Sequence, residues 1–311
     1  MAIDYTVDGL INKLKTRGTI PTSQSLFLPA NFVDIMSDVM HQIVVPAIVS
    51  VREEYFVTYS DTAVVANQAN YRIPSRAVGG MLRDVVLLNS AGTEIPLPRL
   101  DPESLKASSD YNTRSKYGFK LRGDEIVLIP TPAAANGDSV RFYYERRPNN
   151  LILSTDARQI SSFSAGARTV TIASTPTNFS TSDTYDIIRH DPIFSSVGDD
   201  LAITTLAANV MTFTATLPTN IANSQWVCES GFSPVPQIPY EGGLWLVHES
   251  LCAVLEAMTD NPGLKNARTR ADLMKANFMK IITPRVHGSP QKVVQRNGIF
   301  DYSRVGGRRR R

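Results

Sequence analysis

The chain has 311 residues, of which 42% are hydrophobic and 20% are charged. This composition supplies enough apolar side chains for a core and excludes wholesale disorder. No uninterrupted apolar run reaches the roughly 18 residues of a membrane helix, so we expect no integral membrane protein. The first residues do not follow the order of a secretory signal. Two cysteines, Cys228 and Cys252, are too few for a disulfide framework or a zinc site, which fits a reducing compartment.

Charge is distributed unevenly along the chain. The whole sequence carries +3, whereas residues 285–311 carry +7 and residues 1–284 therefore carry −4. This pattern indicates a mildly acidic body followed by a basic arm. The basic residues of the arm are Arg285, Lys292, Arg296, Arg304, Arg308, Arg309, Arg310 and Arg311. Such an arm is either a solvated tail or a segment that orders on an acidic protein groove or on nucleic acid.

The N-terminal region predicts two helices, because apolar residues recur there at helical spacing. We expect a kink or a fresh helical turn at Pro46, which interrupts the second pattern. The apolar faces are formed by Val7, Leu10, Ile11 and Leu14 in the first helix and by Phe32, Ile35, Met36, Val39 and Met40 in the second.

The middle of the chain predicts β-structure. Residues 54–148 contain short β-branched and aromatic runs bounded by turn residues. Residues 159–185 and 202–227 then resemble each other, and both contain a Pro-Thr-Asn loop. Two such three-stranded units can close a small barrel or sandwich, so we expect an inserted β-domain at 155–231. The alternative is chance similarity between threonine-rich strands.

Two helices are predicted near the C-terminus, after a proline-rich connector at 233–243. The first runs from about Glu241 to Met258, and the second begins near Asn261 and stops at Thr283. Apolar residues of the second helix alternate steps of three and four, which makes a seam for a partner helix. We favour a partner in the same chain over one in a neighbouring subunit. The seam consists of Leu264, Ala267, Ala271, Met274, Phe278 and Ile281.

These elements together predict an α+β fold. We expect the N- and C-terminal helices to form a helical bundle together with a β-sheet region. Residues 1–154 and 232–284 would then belong to one body. Residues 155–231 form the inserted small barrel or sandwich, built from the two-fold internal repeat. Residues 285–311 form the extended basic arm.

Few residues suggest catalysis. The sequence contains no P-loop, GxGxxG, GxSxG, HExxH or paired CxxC motif. His248 and Cys252 are spaced as a metal-binding or thiol–imidazole pair, but their apolar stripe favours packing in a core. We expect no catalytic residue, no cofactor and no metal site.

A loose acidic stretch is the strongest candidate for chemistry. Paired carboxylates could serve glycoside hydrolysis or bind a metal. The aspartates lie around strand ends and turns, where this residue is favoured for backbone hydrogen bonds, and we prefer that explanation. They are Asp183, Asp186, Asp191, Asp199 and Asp200.

The order of several segments resembles the head-to-tail adaptor (connector) proteins of tailed bacteriophages, especially the short-tailed type. None of these segments is a catalytic signature, and the resemblance rests on their order along nearly the whole chain. They are residues 10–15 (LINKLK), 20–27 (IPTSQSLF), 32–36 (FVDIM), 71–77 (YRIPSRA), 82–88 (LRDVVLL), 234–239 (PVPQIP), 250–258 (SLCAVLEAM) and 283–288 (TPRVHG).

The resemblance implies a structural virion protein and not an enzyme. Adaptors of this family assemble as a dodecameric ring under the portal, extend the DNA channel and provide the tail attachment surface. The implied partners are the portal protein, a downstream tail or nozzle protein, other copies of the chain and double-stranded DNA passing through the lumen, with no membrane. The implied location is the head-to-tail junction of a virion assembled in the host cytoplasm. Helices near 241–258 and 263–282 would form the ring seam, and Arg308 to Arg311 would anchor the arm on the portal.

Two other classes of protein stay open. One is a tail-fibre or receptor-binding component of the virion, built on the repeated β-insert. The other is a carbohydrate hydrolase that uses the aspartates around 183–200. A stand-alone nucleic-acid binder is disfavoured, because the basic residues are terminal and the body lacks a basic face interleaved with aromatic residues.

Overall fold

The computed structural model describes residues 4–21, 27–100, 117–174, 178–189 and 195–283. Part of the first Pro-Thr-Asn loop, Asp191 and the whole basic arm lie outside these residues.

The helices belong to the two ends of the described chain. They are α1 (Val7–Arg17), α2 (Pro29–Val39), α3 (Val45–Val51), α4 (Gly243–Ala257) and α5 (Asn261–Ile282). The side chain of Thr6 caps α1 by accepting a hydrogen bond from the Gly9 amide, as serine and threonine commonly do at helix starts. The interruption expected at Pro46 is a π-helical turn, Met40–Val44, which connects α2 to α3. The proline then lies in the first turn of α3, where its missing N–H is tolerated.

The stretch from α2 through α3 has the length and composition of a membrane helix. Pro29–Val51 is a 23-residue helix that contains an 18-residue window with a mean hydropathy of 1.5, so it could cross a membrane by length and composition alone. The expectation of no membrane helix rested on the lack of a long uninterrupted apolar run, and Asp34 and Asp38 do interrupt this stretch. Buried core helices pass the same test, and Phe32, Met36 and Val44 of this stretch lie in the main hydrophobic core.

One hydrophobic core joins the helices of both chain ends. Helix α4 packs against α1, α2 and α5, and α5 also contacts α3. Trp245 of α4 is fully buried, and its ring centroid lies 5.6 Å from that of Phe278 in α5. The C-terminal helices therefore complete a core that the N-terminal helices begin.

The predicted seam of α5 faces this core, with one exception. Ala267, Ala271 and Phe278 are buried, and Leu264 and Met274 pack against the core while partly exposed. Ile281 was predicted on the seam, but its side chain is 55% exposed and the neighbouring Ile282 is 8% exposed instead. The reason is geometric: a heptad pattern drifts by about 20° per repeat around a straight helix, so the buried face has moved on by the last turn.

The β-region before the insert consists of two sheets. Its strands are β1 (Val57–Ala63), β2 (Asn70–Arg72), β3 (Ala77–Leu88), β4 (Glu94–Pro96), β5 (Gly118–Arg122), β6 (Glu125–Ile129) and β7 (Ser139–Arg146). One antiparallel sheet has the order β1-β7-β3-β4, and the other has the order β2-β6-β5. Alternate residues of β7 are buried, and Val140 and Phe142 share a second core with Tyr71 and Ile126 of the other sheet.

The chain enters and leaves the insert at one place. Strand β8 (Asn150–Leu151) precedes the insert, and β15 (Phe232–Ser233) follows it. These two short strands pair in parallel. The two connections to the insert therefore lie side by side.

The insert is a closed six-stranded barrel. Its strands are β9 (Arg158–Ser164), β10 (Thr169–Ile172), β11 (Thr184–Ile188), β12 (Ser196–Ala207), β13 (Val210–Phe213) and β14 (Trp226–Glu229). Their order around the barrel is β10-β13-β12-β11-β14-β9. The interior is a third core that includes Val170, Tyr185, Met211 and Phe213. Closure leaves no free sheet edge, which a single three-stranded unit could not achieve.

We expect Phe278→Ala to lower the free energy of unfolding by about 3–5 kcal/mol, because it leaves a cavity beside Trp245. The matched change Ile281→Ala should cost about 0.5 kcal/mol or less, because that side chain is largely exposed. Urea denaturation followed by tryptophan fluorescence measures both values. Similar losses for the two variants would contradict the packing of α5 described above.

Candidate functional site

Arg76 is the centre of a polar cluster between the sheets and the barrel. It lies in the YRIPSRA segment, directly before β3, and Tyr71 and Ile73 of the same segment are buried. Its Nη1 donates to Oδ2 of Asp186 in β11 at 2.8 Å, and its Nη2 donates to Oδ1 of the same carboxylate at 2.8 Å. This two-bonded geometry is the strongest arrangement available to a guanidinium and a carboxylate.

The same guanidinium also binds two further elements. Its Nε and Nη2 donate to the carboxylate of Asp200 in β12, at 3.1 and 2.7 Å. Nη2 also donates to the Ser230 hydroxyl, just beyond β14, at 2.6 Å. One side chain of the sheet region thus holds three neighbouring parts of the barrel.

A second arginine extends the cluster from the end of β7. Nη2 of Arg146 donates to Oδ1 of Asp199 at 2.8 Å and to Oδ1 of Asn149 at 3.0 Å. Nδ2 of Asn149 in turn donates to Oδ2 of Asp186 at 2.6 Å. We name Arg76, Arg146, Asp186, Asp199 and Asp200 the arginine–aspartate cluster.

Asp186 is the most deeply buried member, with a side chain that is 0% exposed. Besides Arg76 and Asn149, the backbone amides of Asp200 and Gly231 donate to its carboxylate, at 3.0 and 3.1 Å. A buried carboxylate is costly unless it is paired and fully hydrogen-bonded, and Asp186 meets both conditions.

The cluster carries more negative than positive charge. Three aspartates face two arginines, which leaves one negative charge when all are ionised. Burial acts against the charged form of Arg76, but the hydrogen bonds and charges of Asp186 and Asp200 outweigh it and raise the pKa of Arg76. Burial also acts against ionised Asp200, yet hydrogen bonds from Arg76 and Ser230 lower its pKa.

Asp199 differs from Asp200 in this respect. Burial raises the pKa of Asp199 above its ordinary value, although Arg146 and the Ser196 hydroxyl favour the ionised carboxylate. Asp199 is therefore the member of this pair that takes up a proton first as the pH falls.

The structure gives the aspartates a role that we did not predict. Asp186, Asp199 and Asp200 come together, but they bind arginines and not the turn backbone alone. Among the described residues, the Asp183 carboxylate accepts only a 3.4 Å contact from Ser182, and it takes no part in the cluster. No group of three or more His, Cys, Asp or Glu side chains that could hold a metal occurs in the described part of the chain. The cluster can therefore orient the barrel, whereas a nucleophilic carboxylate is hard to assign among ion-paired oxygens.

His248 and Cys252 are both buried in the helical core. The Nη1 atom of Arg17 in α1 donates to Nε2 of His248, while Nδ1 of His248 has no partner among the described residues. Burial lowers the pKa of His248, and the charges of Arg17 and Arg270 lower it further. Burial likewise raises the pKa of the Cys252 thiol. The pair is thus held in its neutral forms.

Residues 5–167, more than half of the chain, match the family described as SU10 adaptor protein. The chain belongs to this family of phage adaptors, and it is accordingly a structural component of the virion. The resemblance seen in the sequence is confirmed at this level, and the short-tailed type stays a prediction. No curated protein matches the chain.

The match divides the cluster in two. It covers α1 to α3, both sheets and β9, so Arg76, Arg146 and Asn149 lie inside it. Asp186, Asp199 and Asp200 lie beyond residue 167. The cluster therefore joins the part of the chain that the family match covers to a part that it does not.

We expect Arg76→Gln to lower the free energy of unfolding by about 3–5 kcal/mol, because it leaves the buried Asp186 carboxylate without its charged partner. Arg72→Gln is the matched control. Arg72 and Asp124 form a surface pair with side chains 76% and 74% exposed, so its loss should cost about 1 kcal/mol or less. Chemical denaturation measures both variants. A small effect of Arg76→Gln would show that the cluster does not hold the two parts together.

We expect the stability of the protein to fall below pH 6.5, the ordinary pKa of histidine. The folded state lowers the pKa of His248, so the unfolded state binds more protons and acid favours unfolding. The contribution of neutral His248 to the stability of the fold is complete above pH 6.5, and it is lost as the pH falls towards the lowered pKa of His248. Melting temperatures from pH 7.5 to 5 should drop less for His248→Gln than for the unchanged protein. Burial also lowers the pKa of His41, but His41 is present in both proteins and does not cause the difference. Parallel curves for the two proteins would contradict this assignment.

Proposed function

We propose that this adaptor forms a ring of twelve copies at the head-to-tail junction of the virion. In this proposal the ring docks under the portal, extends the DNA channel and provides the surface to which the downstream tail or nozzle protein attaches. The observation that carries the proposal is the family match over residues 5–167, which covers α1 to α3 and both sheets. The acidic balance of residues 1–284 suits a lumen through which DNA passes without tight binding.

The basic arm at 285–311 is the proposed connection to the portal. Its 27 residues could span about 90 Å when extended, far enough to leave the subunit that carries them. Arg308 to Arg311 would be the anchor, since each guanidinium offers a fixed charge and forked donors that match carboxylates. The attachment of the arm directly after α5 supports this role, because α5 belongs to the main core.

The proposed subunit contact uses the outer face of α5. The predicted seam residues Ala267, Ala271 and Phe278 already pack within their own chain. Two other large apolar side chains of the helix are exposed, Leu273 at 56% and Ile281 at 55%. Exposed apolar side chains of this size on one helix are suited to contact with a neighbouring copy.

We further propose that the barrel descends from two copies of one β-unit. The topology supports this: exchanging β9, β10 and β11 with β12, β13 and β14 leaves every strand beside the same neighbours. The repeat in the sequence covers the same strands. The barrel is then a separate inserted domain at 155–231, and its surface is available for the tail or for a receptor.

The copy number in purified virions tests the ring. Quantitative mass spectrometry of tryptic peptides, with the portal protein as the internal standard, should give equal copies of this chain and of the portal. A number that is a small multiple of three and out of step with the portal would favour a tail fibre instead. Absence from the virion would overturn the proposal and reopen the question of a hydrolase.

A further inference from the structure

A cavity of about 540 Å³ opens beside the arginine–aspartate cluster. It lies between the start of β1, the end of β7 and the start of β12 in the barrel, within the size range of about 300–1,000 Å³ that is usual for ligand sites. The residues that matter for its chemistry are Tyr55, Phe56, Arg146, Asp199, Asn220 and Gln237.

Asp199 gives this cavity an available carboxylate oxygen. Its Oδ1 accepts from Arg146 and from the Ser196 hydroxyl, whereas its Oδ2 has no partner in the described ranges of the chain. The Asp199 side chain is 32% exposed. Because the cluster as a whole has one more carboxylate than it has arginines, a cation is the group that this oxygen lacks.

Two buried donors next to it lack an acceptor. Nε of Arg146 and Nε2 of Gln237 have no hydrogen-bond partner among the described residues. Both nitrogen atoms are shielded from solvent, and the two residues are only 9% and 5% exposed, so an acceptor reaches these atoms only when the side chains shift towards the cavity. An unpaired buried donor is costly, and a backbone carbonyl is a suitable acceptor for it.

A basic peptide would supply both kinds of group. Its arginine or lysine head would pair with Asp199, and its carbonyl oxygens would accept from the unpaired donors after the Arg146 and Gln237 side chains turn towards the cavity. Tyr55 and Phe56 offer an apolar wall for the aliphatic part of such a side chain. A free metal ion or a simple anion would satisfy only one of these two requirements.

We propose that this cavity binds residues 285–296 of a neighbouring copy of the chain. That segment carries Arg285, Lys292 and Arg296 and no acidic residue, so its charge complements that of the cluster. Its twelve residues can span about 40 Å, enough to reach an adjacent subunit, and they leave Arg308 to Arg311 free for the portal. The contact is head-to-tail, and such contacts form a ring when the rotation between neighbouring copies closes. The inference rests on the proposed ring, which supplies the neighbour.

The test uses the full chain with Arg285, Lys292 and Arg296 changed to Gln, so that its own segment does not compete. A fluorescent peptide of residues 284–299 is titrated at low salt and followed by anisotropy. We expect saturable binding that weakens at least about tenfold with Asp199→Asn, as for loss of a charge-assisted hydrogen bond. Asp124→Asn, which removes an exposed carboxylate elsewhere, should change the affinity less than about twofold.

Asp199 also binds Arg146, so weaker binding by Asp199→Asn alone would not distinguish a lost peptide contact from a misfolded cluster. A second variant makes that distinction. Asn220→Arg places a positive charge at the exposed rim of the cavity without touching the cluster, and it should block the peptide. Unchanged binding in both Asp199→Asn and Asn220→Arg would overturn the proposal. So would equal binding of a peptide in which the three basic residues are Gln.

Sedimentation of the unaltered full chain identifies the occupant. Concentration-dependent association that disappears with Arg285, Lys292 and Arg296 changed to Gln supports a neighbouring copy. A monomer that nevertheless excludes the labelled peptide would mean that the segment folds back on its own cavity, which overturns the inference. A portal-matched copy number together with either negative result would leave the ring in place and remove only this contact.

Discussion

The buried pair of Arg76 and Asp186 is the constraint on which the arrangement of this adaptor depends. A carboxylate with no solvent exposure must find its compensation within the protein, and Asp186 finds it in a guanidinium from another sheet, a side-chain amide and two backbone amides. Each of these donors has a fixed direction. The barrel can therefore meet the sheets in one orientation only. Any rotation would separate the Asp186 carboxylate from these donors and leave it in a protein interior that solvates charge poorly.

The second constraint is the shared helical core. The family match ends at residue 167, yet α1 and α2 bury their apolar faces against α4, which lies far beyond that point. The N-terminal part is thus completed by the C-terminal helices. Because α5 belongs to the same core, tension on the segment that follows it passes into the centre of the subunit, which suits a protein whose proposed task is to link two large assemblies.

Local sequence patterns predicted the helices and strands well, but they did not predict which distant residues form ion pairs. The helices, a small β-barrel and the adaptor family were predicted from apolar spacing, from strand-like runs and from the order of segments. The arginine–aspartate cluster does not, because Arg76 and Asp186 are 110 residues apart and charges at such separation leave no periodic signal. In the sequence the one hint was the alternation of Tyr71 and Ile73 in the segment before Arg76, and the structure shows that both are buried. Ile281 was misplaced because a heptad repeat drifts on a straight helix.

The parallel pair of β8 and β15 has an evolutionary consequence. The chain leaves the body and returns to it through two adjacent strands. Recombination at this one place can therefore add, remove or exchange the whole barrel without changing the path of the chain through the body. The body, however, retains Arg76 and Arg146 on the surface that the insert covers. A foreign insert would be accepted only if it brought acidic side chains in matching positions. The cluster thus restricts which inserted modules this scaffold can carry.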